Sequence, residues 1–188
     1  MIGLTKEASP RFKARITGVV YLLYFLTAIF AEFLNGRSLV VYSNAANLVA
    51  YAFYLALTLL FYFMFKPVNK YLSVIAALCS LAGCAIGAFA LFYSAASQIN
   101  PLLFFGPYCL MIGYLIFRSF FLPRILGVLM ALAGVGWLVF LSPLANYLST
   151  YIEVLGIVAE GSLMLWLIVM GVNNQRWQDQ AGETAEHA

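Results

Sequence analysis

Residues 151–172 read YIEVLGIVAEGSLMLWLIVMGV, an apolar run interrupted by two carboxylates, Glu153 and Glu160. A bilayer core about 30 Å thick is crossed by about 20 apolar residues at about 1.5 Å rise each. The span it belongs to, 150–172, is long enough to cross, and it carries too little alternation to be a barrel strand. Its reading as a membrane helix decides the fold.

Working outward, five further stretches have the same character: 15–35, 45–65, 71–93, 102–118 and 123–142. The chain of 188 residues is 64% hydrophobic and only 9% charged, with a mean hydropathy of +0.95. A water-soluble domain carries roughly 25% charged residues, because its surface must face water. These charges are too few to cover such a surface. The prediction is an all-α polytopic membrane helix bundle with six transmembrane helices. It divides into an N-terminal segment (1–14), a six-span domain (15–172) and a polar tail (173–188). The tail is expected to fray, with Trp177 near the membrane interface. The apolar core Ile16 to Ala31 reads as a retained first span rather than a signal peptide, since no small-x-small cleavage site follows it.

Lys and Arg accumulate on the cytoplasmic side of membrane proteins. Lys6, Arg11, Lys13 and Arg15 precede the first span, Lys66 and Lys70 flank the 66–70 connection, Arg118 and Arg124 flank the next such connection, and Arg176 follows the last span. The opposite loops hold only Arg37. Both termini are therefore expected to be cytoplasmic, with the protein in the bacterial inner membrane. No acidic residue occurs between Phe33 and Ile152, so the inner loops are purely basic and suit anionic lipid headgroups rather than nucleic acid.

Several chemistries lack their residues. The single histidine, His187, lies in the tail, which removes bis-histidine haem, histidine-based zinc sites and a histidine base for a Ser or Cys nucleophile. No glycine-rich phosphate loop is present. Cys79, Cys84 and Cys109 all fall within spans and read as small packing residues. The expectation is a protein without cofactor or metal that is not an enzyme.

Small residues recur at spacing four in the third span, at Cys79, Gly83 and Gly87 with Ala76, Ser80 and Cys84 beside them, and in the fifth, at Gly127, Ala131 and Gly134. Such stripes let helix backbones approach closely in lipid, within one chain or across a homo-oligomer. Arg15-Ile-Thr-Gly-Val and Arg124-Ile-Leu-Gly-Val open the first and fifth spans alike, by chance or as a shared device for starting a helix.

Glu153 and Glu160 are two turns apart on one helix face, about 10 Å from each other, with Gly156 between them. Glu153 is shallow, as is Glu32 at the end of the first span, whereas Glu160 falls near the midplane. A charge there costs from about 2.5 kcal/mol upward, and no Lys or Arg lies at that depth. Glu160 is thus expected to be protonated, or hydrogen-bonded to neutral groups, with a tyrosine as its partner. Tyr24, Tyr54, Ser80 and Tyr108 are at suitable depth. Two roles stay open: a neutral clasp between helices, and a titrating or ligand-contacting group. Pro107 removes a hydrogen bond inside the fourth span, where it is either a structural kink or, as in some transporters, the mark of a binding site. Together Glu160, Glu153, Tyr24, Tyr54, Tyr108 and Pro107 suggest a cavity opening to the outside.

Arg15-Ile-Thr-Gly-Val-Val-Tyr-Leu-Leu, Phe30-Ala-Glu-Phe33, Lys66-Pro-Val-Asn69, Gly113-Tyr-Leu-Ile-Phe-Arg-Ser119, Leu122-Pro-Arg-Ile-Leu-Gly127 and Glu160-Gly resemble bacterial membrane proteins of domain of unknown function 4386. The resemblance implies an integral membrane protein and brings no substrate or catalytic residue with it. The expected function is binding or transport of a small apolar or weakly polar compound, proton-linked through Glu160. The alternative is a structural or interaction subunit packing against lipids or other membrane proteins.

Overall fold

Ser9 and Pro10 start the first helix as their chemistry dictates. The Ser9 hydroxyl accepts a hydrogen bond from the Phe12 amide at 3.3 Å, and Pro10 occupies the first turn, where its missing N–H costs nothing. In the computed structural model, residues 9–93 and 99–186 are described; Lys6 and His187 lie outside them. The described residues form seven helices: α1 (Pro10–Asn35), α2 (Val40–Phe65), α3 (Lys70–Ala90), α4 (Leu102–Arg118), α5 (Arg124–Val139), α6 (Ala145–Val169) and α7 (Asn174–Glu186). No strand occurs among them.

Four helices, α1, α2, α3 and α6, are long and apolar enough to cross a membrane. The apolar helices α4 and α5 have 17 and 16 residues, about 25 Å at 1.5 Å per residue. Large apolar side chains such as Leu26, Phe30, Phe63, Leu78, Val135 and Leu165 point outward and are exposed. A belt of this kind is stable against lipid chains and unstable against water, so the protein is an integral membrane protein.

Asn69 caps α3 by accepting from the Leu72 amide at 2.9 Å, just after Pro67 has closed α2. Before α4, Asn100 accepts from the Leu102 amide at 3.0 Å in a turn that precedes the helix. Each of the six apolar helices packs on its neighbours in the chain, and α6 returns to α1, so the six form a closed ring.

Glycine sets the closest approaches. A Cβ on Gly18 would stand 2.7 Å from the Ile168 amide nitrogen, which fixes α1 against α6. Between α4 and α5, Gly106 and Gly113 face Gly134 and Gly127, and every one of these four would strike backbone or Leu side chains if it carried a Cβ. The α5 stripe expected from the sequence is therefore an intramolecular contact, with α4 contributing the other half. In α3 the buried row is Ala76, Ser80, Cys84 and Gly87, while Cys79 and Gly83 are only half-buried; the packing face is rotated from the predicted row. All three cysteines are free thiols.

The paired Arg-x-x-Gly openings make different contacts. Arg15 donates to the Val169 carbonyl at the end of α6 (2.9 Å), and Arg124 lies over the Phe117 ring at the end of α4 (5.6 Å). Arg15 thus meets the free carbonyls at a neighbouring helix's C-terminal end, which attract a cation, whereas Arg124 rests on an aromatic face.

The expected fray at the tail does not occur over 174–186. Gly171, at φ +66°, turns the chain out of α6 in a left-handed conformation that suits glycine. Helix α7 then folds across the end of the bundle that holds the termini. Asn174 accepts from the Arg11 amide (2.7 Å), the Trp177 indole donates to the Met64 carbonyl (3.0 Å), and Gln180 accepts from the Phe120 amide (3.1 Å). These polar residues find partners among the helix-end carbonyls and amides that the bundle leaves unpaired.

Packing is uneven along the ring axis. The fully buried large side chains, Leu57, Phe65, Leu115, Ile116, Leu163 and Leu167, all sit in the half nearest the termini. The other half buries small residues, among them Ala31, Ser43, Ala50, Gly106, Gly134 and Gly156. The bundle is solid at one end and hollow at the other.

Candidate functional site

The hollow half encloses a cavity of ≈ 540 Å³ with wall residues from all six apolar helices. Helix α6 presents Glu153, Gly156, Ile157 and Glu160 to it, the i, i+3, i+4, i+7 face of one helix. Gly156 admits the edge of Trp137 from α5, whose ring carbon would lie 2.6 Å from any Cβ there. From α1, Tyr24, Ala28 and Glu32 line the same space at four-residue spacing.

Glu160 is 5% exposed and lies at the floor, whereas Glu153 and Glu32 are exposed at the mouth. The Tyr21 hydroxyl donates to Glu160 Oε2 at 2.8 Å, joining α1 to α6 in the interior. Among the described residues nothing donates to Oε1. The expected tyrosine partner is thus present, one turn before Tyr24 on the same helix.

Tyr24 and Tyr54 both line the cavity, their ring centroids 4.8 Å apart. The series continues from Tyr54 to Phe105 at 6.0 Å and from Phe105 to Trp137 at 5.8 Å, an arc of rings across α1, α2, α4 and α5. Ser80 is at the floor and bonds to Thr58. The Thr58 hydroxyl already donates to the Tyr54 carbonyl (2.9 Å), so Ser80 is the donor in this pair.

Two expected site residues stand apart. Tyr108 is buried in the core next to the floor, its ring 6.0 Å from that of Tyr54, and is not a wall residue. Pro107 is half-buried and outside the wall, and α4 continues as one helix through it. The helix is close enough to its N-terminus there that the lost bond involves only the Leu103 carbonyl on the exposed face. Sequence reasoning missed Tyr21, Phe105 and Trp137. Tyr21 could have been found by its three-residue spacing from Tyr24; Phe105 and Trp137 carried no signal, since an aromatic ring in a span faces lipid as readily as a cavity.

No Lys or Arg lines the cavity. Among the described residues no three His, Cys, Asp or Glu side chains come together as a metal-binding group. The wall can offer aromatic faces, a thiol, hydroxyls and three carboxylates graded in depth.

A ring of apolar helices around an acidic, aromatic cavity defines a polytopic α-helical membrane protein. Residues 91–171 match the family described as "Domain of unknown function (DUF4386)". The segment carries Glu153, Glu160, Trp137 and the α4–α5 glycine contact; Tyr21, Tyr24, Glu32 and Tyr54 precede it. The chain is also similar to an "Uncharacterized protein" of Archaeoglobus fulgidus, 28% identical over 118 residues that cover 58% of this chain and 72% of the relative. No solved structure matches.

Proposed function

We propose that this is a six-span protein of the cytoplasmic membrane, with both termini inside, that binds or transports a small apolar or weakly polar compound. It acts without enzymatic chemistry, and Glu160 is its proton-linked group. The observation that carries the reading is the ≈ 540 Å³ cavity reaching Glu160. Pockets for small ligands are typically about 300–1,000 Å³, mostly apolar, with a few placed polar groups. With the termini inside, the mouth faces outward and takes its occupant from the outer leaflet or the exterior. Membrane lipids are the other expected partners; no nucleic-acid contact is proposed.

The test is to fill the hollow. Ala28→Trp places an indole in the cavity at a half-buried wall position. Saturable binding of a neutral naphthylamine dye to the detergent-purified protein should be lost in this variant, with unfolding unchanged. Equal dye binding by both proteins would refute the reading. The structural-subunit alternative draws on the Tyr21–Glu160 hydrogen bond, which closes the ring between α1 and α6 and serves as a clasp whether or not the cavity is filled.

A further inference from the structure

We propose that the occupant is a lipophilic monovalent cation, a protonated or quaternary amine or its phosphonium equivalent, with the Glu160 carboxylate as its counter-charge. The inference rests on the cavity being a binding site and replaces the uncharged occupant named above with one that carries a positive charge.

Charge comes first. The chain has seven acidic residues, and the three within the apolar helices, Glu32, Glu153 and Glu160, all line this one cavity. No basic side chain answers them from the wall, and Arg37, on the connection beyond α1, is turned onto the Phe33 ring at 4.6 Å. An anionic occupant would be repelled. A neutral apolar one would fill the space beside Glu160 Oε1 without giving it a partner, which is unfavourable for a polar atom cut off from water.

The wall supplies the second argument. Tyr24, Phe25, Tyr51, Tyr54, Phe105 and Trp137 present six aromatic rings to the cavity. The faces of such rings attract an organic cation, most strongly where water is absent, and their bodies hold its apolar substituents. A neutral ligand gains only the second effect.

Depth is the third. Glu32 and Glu153 at the mouth create a negative potential that draws cations inward. Glu160 stands more than nine-tenths buried at the end of the path, held by one oxygen to Tyr21 and offering the other. The titratable groups facing it are Tyr21 and Tyr24 of α1, Tyr54 of α2, and Tyr108 and Cys109 of α4. Phenols and thiols are neutral at ordinary pH, so none of them competes as a cation. A proton can, because either a proton or the organic cation neutralises the carboxylate in a medium hostile to charge. Binding should therefore weaken as pH falls.

Tetraphenylphosphonium, which has no titratable proton, and triphenylphosphine oxide, a neutral compound of related shape, separate the possibilities. Binding of each to the full chain is measured by equilibrium dialysis in a nonionic detergent, from pH 5 to 8. The phosphonium should bind at least about tenfold more tightly than the oxide at pH 8, and lose that advantage in Glu160→Gln or at low pH. Glu32→Gln and Glu153→Gln should produce smaller losses that vanish in high salt. Equal binding of the two compounds, or preference for the oxide, would overturn the cation assignment and leave the binding cavity standing. Phosphonium binding that does not weaken as pH falls overturns it on the wild-type protein alone, even if Glu160→Gln fails to fold. Absence of saturable binding by both compounds and the naphthylamine dye would overturn the cavity reading as well.

Discussion

Gly127→Ala adds one methyl group at the place where α5 lies against α4. That carbon would stand 2.6 Å from the Gly113 carbonyl oxygen and 2.7 Å from the Phe117 amide nitrogen. Ordinary contact begins near 3.4 Å, so the helices must part by the difference, 3.4 − 2.6, or 0.8 Å. Both struck atoms are backbone, and no side-chain rotation relieves them. Overpacking of this kind costs about 1–3 kcal/mol, and a rigid obstacle places it near the top of that range. The alanine returns about 0.5–1 kcal/mol by restricting the unfolded chain. The net expectation is a loss of about 2 kcal/mol. Gly161→Ala is the matched control, a glycine within α6 whose Cβ would meet nothing within 4 Å. It should gain about 0.5–1 kcal/mol from the same chain effect. Reversible unfolding in mixed micelles, followed by circular dichroism, measures both. If the two variants are equally stable, the glycine contact between α4 and α5 does not hold these helices together.

Glu160→Gln should fold normally, because its amide oxygen still accepts from Tyr21, while Glu160→Leu should lose about 1–3 kcal/mol by stranding that hydroxyl; adding Tyr21→Phe to the leucine variant should recover part of the loss in the same unfolding assay. Trp177→Ala removes the indole bond to the Met64 carbonyl, worth about 1 kcal/mol, so limited proteolysis near residue 173 should accelerate about fivefold. Reporter fusions after Asn69 and after Leu144 should read inside and outside respectively, and the reverse pair would refute the proposed six-span topology.

The helices were legible because hydropathy and helix formation share a cause in lipid, where every backbone amide must be paired within its own segment. Their ends were less so. The apolar run at 150–172 becomes α6 at Ala145–Val169, since the backbone starts its hydrogen bonding in the polar Asn146–Ser149 turn and stops at Gly171. Helix α7 was misread because polar composition argues for solvent, whereas its Trp177, Asn174 and Gln180 answer unpaired groups at helix ends distant in sequence. In the site, the shared face of Glu153 and Glu160 followed from their spacing alone. The choice of Tyr21 over Tyr24 as the partner did not, since two tyrosines one turn apart differ only in how α1 is rotated against α6. Gly18 sets that rotation by its contact with the Ile168 backbone.

The sequential ring also dictates an order of birth. Helices α2 through α5 each pack on the helix made just before them, so each can find its partner as it enters the bilayer. Helix α6 alone must also reach back to α1. Until it is synthesised, Tyr21 has no carboxylate to meet, and the aromatic arc lines an open trough toward lipid. The cavity is thus completed by α6 and by the one long-range closure of the ring. A ribosome stalled before α6 should leave the earlier helices around an unclosed trough.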